Sequence, residues 1–452
     1  MPDQTALQPA ESRLESLRRH FASGRLRAAE AELSGLHAAE IALLLESLPP
    51  PERELAWSLV PAAKRGEVLL HVNEEARQGL IASLDIAQLT EVAAHLEIDD
   101  LADLWQALPE ELAERARGSL PPKRRAALDS VLVYPETSAG GLMNTDSIAV
   151  RPDMSVAAVL RQLRQTRRLP DHTDRLFVVA RDGMFLGSVA VSRLLTAQPD
   201  DTVADLMDTD TRSLPADTDT AEVARVFEDL DLVSAPVVSG DGRLLGRITV
   251  DDVVDVIRDQ ADHSLMTMAG LDEEDDMFAP VPRSARRRAL WLGINLATAF
   301  LASWVVGLFQ GTLQRVVALA VLMPVVASMG GIAGSQTLTL VVRGLALGQI
   351  GRGNARRLAL KEAAVGALNG IAWAVVVAAV AGFWFGNARL AAVIAAAMIL
   401  NLLLAALAGM GIPLLLRRLS IDPALAGTVV LTTLTDVFGF LAFLGLGTLF
   451  LR

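Results

Sequence analysis

Asp436 is the only charge in an apolar run that extends from Pro423 to Leu451. An ionised carboxylate facing lipid at mid-membrane costs several kcal/mol, so this side chain has to face protein or water. Thr432 and Thr433 lie one helical turn before it and Gly439 one turn after, which with Thr428 makes a narrow polar stripe. The wall of an ion path would look like this; a hydrogen-bonded structural Asp or a proton relay fits the same residues. An earlier apolar run contains Met329-Gly330-Gly331-Ile332-Ala333-Gly334-Ser335-Gln336. Its glycines permit close backbone approach, and Ser335 and Gln336 add polar groups at the same depth. Pro324 removes a backbone donor just upstream, so a bent helix with carbonyls facing a water-filled path is predicted, tolerated only where lipid is excluded. Helix packing through small residues is the competing explanation of the glycines.

Other carboxylates gather outside the apolar runs: Asp99 and Asp100 with Asp103, Glu228 and Asp229 with Asp231, Asp251 and Asp252 with Asp255, Asp259 with Asp262, and Asp272 to Asp276. Solvated surface is the plain reading of such clusters, and cation binding the sharper one. From Ser284 onward the chain has 13 basic and three acidic residues, against 28 and 50 before it, so the overall net charge of −12 joins an acidic soluble half to a weakly basic apolar half. The acidic half argues against nucleic acid, which needs a basic footprint. The absence of cysteine excludes disulfide scaffolds, thiolate nucleophiles and Cys-ligated metal centres. All six histidines lie in the soluble half without ligand spacing. No second carboxylate or Ser/His pair accompanies Asp436 at catalytic spacing, so an enzyme is not predicted.

Crossing hydrocarbon as a helix takes about 20 apolar residues. Five stretches qualify, roughly Ala289 to Gln314, Val316 to Val342, Ala363 to Ala388, Leu390 to Leu416 and Pro423 to Leu451. Arg283, Arg286, Arg287 and Arg288 precede the first; Arg343, Arg352, Arg356, Arg357 and Lys361 separate the second from the third; Arg417 and Arg418 separate the fourth from the fifth. Only Arg315, Arg389 and Arg452 mark the other side, so the richer side is cytoplasmic, together with the soluble half, and the carboxy terminus is outside. The first twenty residues lack the apolar core of a cleaved signal peptide, and the inner (plasma) membrane is the expected location. Glu362 beside Lys361 reads equally as an interfacial pair or a cation attractor. Asn369 and Asn401 read as helix-packing groups more readily than as path lining.

In the soluble half, residues 12 to 130 show apolar positions at helical spacing punctuated by proline, which predicts short helices stacked as an α-solenoid. After Tyr134 the pattern becomes short β-type runs, Arg175 to Ala180 and Gly187 to Val191, with a turn signal at Asp182-Gly183. The arrangement recurs about sixty residues on, as Ser234 to Val238, Asp241-Gly242 and Leu244 to Val250. This twofold repeat resembles a tandem pair of cystathionine-β-synthase (CBS) domains. Gly246-Arg247-Ile248-Thr249-Val250-Asp251-Asp252 looks like the segment such modules use for a ribose, with Asp252 toward the ribose hydroxyls and Thr249 toward phosphate; Ala190 and Arg193 stand at the equivalent places of the first repeat. ATP or another adenine nucleotide at the pair, and a purely structural pair, both stand.

The whole order resembles the MgtE family of magnesium channels and transporters. The likeness rests on Tyr134-Pro-Glu-Thr-Ser-Ala-Gly-Gly-Leu-Met143, Gly246 to Asp255, Met329 to Gln336, Asp422-Pro-Ala-Leu-Ala and Thr432 to Asp436. It implies a multidomain membrane protein: a helical solenoid-like amino-terminal (N) domain over 1–133, α/β CBS domains over 134–200 and 201–258, a connecting helix within 259–283, and a transmembrane domain of five helices over 284–452. It further implies Mg²⁺ as cargo and regulator, a homodimer in the lipid bilayer, and an ion pathway through Asp436, Thr432, Thr433, Gly330, Gly331, Gly334 and Gln336. Regulatory metal would sit among Asp99, Asp103, Asp231, Asp252, Asp255 and Asp259 on the N and CBS surfaces, with the helix after the CBS pair closing the pore. Ile332 and Ser335 stand where the family usually has Asn, Thr428-Val429 where it has a Gly-Pro step, and Gln260, His263 and Ser264 where its connecting helix is commonly acidic. A carrier for another divalent cation such as cobalt, and a membrane-anchored nucleotide sensor, are the competing readings.

Overall fold

The computed structural model describes residues 10–166, 169–268, 271, 276–346, 348–351, 353–419 and 421–451. Of the acidic run at 272–276 only Asp276 is among them; Arg352 and Arg452 also lie outside the described residues. The chain forms two compact units, one of residues 1–262 with 273–280 and the other of residues 263–272 with 281–452.

In the first unit, ten short helices run from Ala10–Ala22 to Pro122–Val131. Proline explains much of the punctuation: Pro49, Pro61, Pro109 and Pro121 each occupy the residue before a helix, where a fixed φ and a missing N–H are harmless. Elsewhere side chains cap the helices. The Asn73 side chain accepts from the Ala76 amide at 2.9 Å, and Asp85 and Gln88 cap each other reciprocally at 2.8 and 3.0 Å. Ala38–Glu46 packs on Ala62–His71, which packs on Ile86–His95, which packs on Glu110–Ser119, an alternating stack consistent with the predicted solenoid. Leu33, Ile41, Leu45, Leu69, Leu89 and Leu101 fill its interior.

Two three-stranded sheets follow. In one, Ala149–Val150 runs parallel to Arg175–Val179, which pairs antiparallel with Phe185–Ala190; in the other Leu214–Pro215, Ser234–Val238 and Leu244–Thr249 repeat the pattern. The registers match residue for residue, Arg175 opposite Ala190 and Ser234 opposite Thr249, each with an irregularity before the last strand residue. The hydrophobic cores differ. Leu214, Val223, Phe227, Val237 and Ile248 of the second repeat share one continuous core with the N-domain helices, whereas Val150, Val159, Leu176, Val178 and Val189 of the first form their own. Burial therefore fixes the N domain on the second repeat, and with it the acidic faces of both.

The second repeat ends in a single helix, Val250–Met268. There is no break at Asp259, where the sequence suggests a separate connecting helix; the segment from Asp259 is the second half of this helix.

Among the described residues of the second unit, five helices are long and apolar enough to span a membrane: Val281–Gly307 (span 1), Val317–Ala346 (span 2), Ala355–Phe385 (span 3), Ala388–Arg418 (span 4) and Pro423–Phe450 (span 5). At 27 to 31 residues for spans 1 to 4 and about 1.5 Å per residue, each exceeds the roughly 30 Å of hydrocarbon. Span 1 stops short of its predicted end, and Gln310–Arg315 forms a separate short helix. Span 4 is the hub: spans 2, 3 and 5 pack on it, and span 1 packs on span 5. Gly366 and Gly370 of span 3 let its backbone lie against Leu402 and Ile399 of span 4, the small-residue packing expected where no hydrophobic force draws helices together.

Candidate ion path and acidic interface

Asp436 sits at the middle of span 5, half-buried, on a face shared with half-buried Thr432 and Thr433. Thr432 donates its hydroxyl proton to the Thr428 carbonyl at 3.0 Å, and Thr433 donates to the Val429 carbonyl at 2.7 Å. With their protons committed to the helix, both oxygens present lone pairs outward, which suits the waters of a hydrated cation. Among the described residues no hydrogen bond or ion pair reaches the Asp436 carboxylate.

Span 2 runs as continuous helix from Val317 to Ala346, through Pro324 and the glycines, where a bent segment with outward carbonyls is expected. Gly330 and Gly334 serve contacts with other spans. A methyl group at Gly330 would collide with the Asn401 amide, and one at Gly334 would fall 2.9 Å from Leu431 of span 5. Gly331 faces open space, and Gln336 is exposed. Asn401 of span 4, 1% exposed, donates from Nδ2 to the Val326 carbonyl at 2.8 Å and also lies against Gly439 of span 5. Three spans thus meet on one amide, a packing role that the sequence favours. Glu362 is more buried than an interfacial pair suggests, at 4% exposed. It accepts from Thr337 at 3.2 Å and pairs with Lys361 at 3.0 Å. Thr337, which sequence reasoning passed over, lies one turn after Gly334 on the same helix.

In the soluble unit the carboxylates of Ile98–Gln106 face those of Val250–Met268. Asp99, 6% exposed, is held well above the usual carboxylate range by burial first and by the charges of Asp252 and Asp100. Burial and the neighbouring charges of Glu97, Asp251 and Asp255 push Asp100 up to about 6. Asp103 is pushed up to about 7 by burial, Glu136 and Asp100, with Asp259 contributing. Asp252 likewise rises to about 7, from burial and Asp251, against hydrogen bonds from Thr249. Glu97 joins this group, raised by burial and relieved by Arg247; no sequence signal singled it out. Like charges held this close in low dielectric repel, and protons or cations relieve them. Asp255 and Asp259 act on the cluster from exposed positions. Asp231 instead ends the Thr220–Leu230 helix with a left-handed backbone, φ 50°, exposed and joined to the cluster by no described contact. Among the described residues, no three carboxylates or histidines form a ready cage for a metal ion.

The ribose motif starts the Val250–Met268 helix. The Thr249 hydroxyl donates to Asp251 and, at 3.0 Å, to Asp252, and the Thr249 amide donates to Asp252 at 3.1 Å. Both bonds to Asp252 fall on Oδ2, and Asp252 also faces Asp99. In the second unit His263 Nε2, in the last part of the Val250–Met268 helix, lies 3.0 Å from Asp422 Oδ2, whose other oxygen caps span 5 by accepting from the Ala424 amide at 2.8 Å.

Comparison with known proteins bears on this arrangement. Residues 323–446 match the MgtE divalent cation transporter model, 36–137 the MgtE intracellular N domain, and 139–200 and 203–259 the CBS domain. The magnesium transporter MgtE of Thermus thermophilus is 34% identical over 442 residues, 97% of this chain and 98% of that protein. That of Bacillus subtilis is 28% identical, covering 95% of each. The crystal structure of the cytosolic domain of the Mg²⁺ channel MgtE in complex with ATP is similar at 35% identity and a TM-score of 0.50, covering 54% of this chain and 99% of that one. An intracellular helical domain, a CBS pair and five apolar spans in one order, matched over nearly the whole length, place this chain in the MgtE family of divalent cation transporters.

Proposed function

We propose that the chain is a magnesium channel of the plasma membrane, taking up divalent cations through paired copies of span 5 in a homodimer and closed by magnesium on its cytosolic surfaces. The carboxy terminus lies outside and the soluble half in the cytoplasm. Residues 1–133, 134–200, 201–258, 259–283 and 284–452 serve as the working domains.

The observation that carries this reading is Asp436, a carboxylate half-buried at mid-span with no described partner. Magnesium keeps most of its waters and is bound through few carboxylates, so two copies of Asp436 facing one axis supply the charge, and Thr432 and Thr433 accept from the bound waters. A dry cage is unnecessary. Asp436→Asn and Asp436→Ala are expected to abolish magnesium uptake into liposomes; uptake at the unmutated rate would refute the assignment.

Gating follows from the acidic interface. Asp99, Asp100 and Asp103 oppose Asp252, Asp255 and Asp259, and a cation between them favours the packed arrangement, so rising cytosolic magnesium shifts the population toward closure. His263 against Asp422 links the connecting helix to the start of span 5. An adenine nucleotide at Thr249 and Asp252 is compatible with this reading, and the gating step does not require one. A second reading, transport of another divalent ion such as cobalt, is favoured by Ile332 and Ser335; Ile332 is 55% exposed on span 2. Competition between cobalt and magnesium in the same liposomes separates the two.

A further inference from the structure

Arg53 lies in the Pro50–Ser58 helix of the N domain, and Asp276, 223 residues later, lies in the segment 276–280 that leads into span 1. The guanidinium grips the carboxylate with both arms, Nη1 donating to Oδ2 at 2.6 Å and Nη2 to Oδ1 at 2.9 Å. Two further donors are used as well, Nε on the Leu45 carbonyl at 2.9 Å and Nη2 on the Leu48 carbonyl at 3.1 Å. Asp276 Oδ1 accepts a second time from the Phe278 amide at 2.9 Å, and the Asp276 amide donates to Glu75 at 3.3 Å. Arg53 is 5% exposed and Asp276 6%.

Burial makes this pair all-or-none. A charge left alone there has lost its water and gained nothing in return, so the pair forms only when the segment docks, and it returns to solvent as a unit when the segment leaves. The geometry is the bidentate fork that carboxylate and guanidinium share, which fixes orientation as well as proximity. Asp276 is five residues before Val281, where span 1 starts, a reach of at most about 17 Å in extended chain.

We propose that Arg53 is a positioning residue of the gate: through Asp276 the N domain holds the chain that enters span 1, so that rearrangement of this domain acts on span 1 as well as on the connecting helix. The proposal rests on the gating reading above. Full-length chain in liposomes tests it, with magnesium flux followed against magnesium on the side of the soluble half. Arg53→Met and Asp276→Asn are each expected to raise the half-inhibiting concentration about tenfold with flux at the lowest magnesium unchanged. An unmoved inhibition curve, in a variant whose soluble unit melts like the original, overturns the proposal. Should a variant fail to fold, exchange of the Phe278 and Ala279 amides in the unmutated chain decides: saturating magnesium is expected to slow it about tenfold, and equal exchange with and without magnesium overturns the proposal. Joint neutralisation of Asp99, Asp103, Asp252 and Asp255 separates the two ideas. If that variant escapes inhibition and Arg53→Met does not, only the Arg53 link is lost; if it stays inhibited, the gating reading itself fails.

Discussion

At the residue scale, small and polar positions in the spans divide by what they touch. Gly330 leaves room for the Asn401 amide, whereas Gly331 faces open space. Gly330→Ala is therefore expected to destabilise the membrane unit by about 1–3 kcal/mol, as overpacking does, and Gly331→Ala to leave it near the original. Denaturation in detergent measures both, and equal losses would contradict the assignment of these contacts. Asp436 and its threonine neighbours were legible in the sequence because a charge among apolar residues has few explanations. Asn401 was visible as a packing residue, but its partners were not, since only the packed spans bring Gly330 and Gly439 to it. Arg53 gave no signal at all: an arginine on a short helix reads as surface until a carboxylate from 223 residues away covers it.

At the element scale, the crowded carboxylates lie on two helices, Ile98–Gln106 and Val250–Met268, where the proposed regulation would act. The packed interface holds Asp100 near 6 and Asp103 and Asp252 near 7, from an ordinary 3.8. An acid with a raised value in the packed state binds protons more tightly there than when separated. Below about pH 4 it is protonated in both states and costs nothing; from about pH 4 upward the cost to packing grows, and it is fully felt once pH passes the packed-state value of about 6 to 7. In cation-free buffer the melting temperature of the soluble unit is therefore expected to fall from pH 5.5 to 8, by about a few degrees, and saturating magnesium to flatten the slope. A flat profile without magnesium would contradict the account. Helices, strands and the twofold repeat followed from periodicity and turn residues; the strand registers came from the structure. Span ends and the unbroken Val250–Met268 helix did not, because local pattern does not show where one helix is carried past a domain boundary.

For the whole molecule, the proposed function divides the work between the two halves: Asp436 at mid-span would meet the passing ion, and the repulsion among the acidic residues would read it after entry. The N domain shares its core with the sheet and helices of the second CBS repeat and not with the sheet of the first, which is why the acidic faces meet on that side. Order and composition made the architecture legible; the shared core and the link at Asp276 depend on contacts between distant segments. The most direct measurement is magnesium flux into liposomes, as a function of magnesium on the side of the soluble half, for the unmutated chain, for Asp436→Asn, and for the chain with Asp99, Asp103, Asp252 and Asp255 neutralised. The account predicts no flux at any concentration for Asp436→Asn, and flux persisting in the neutralised chain where the unmutated chain is silent. Flux through Asp436→Asn that matches the unmutated chain would contradict it.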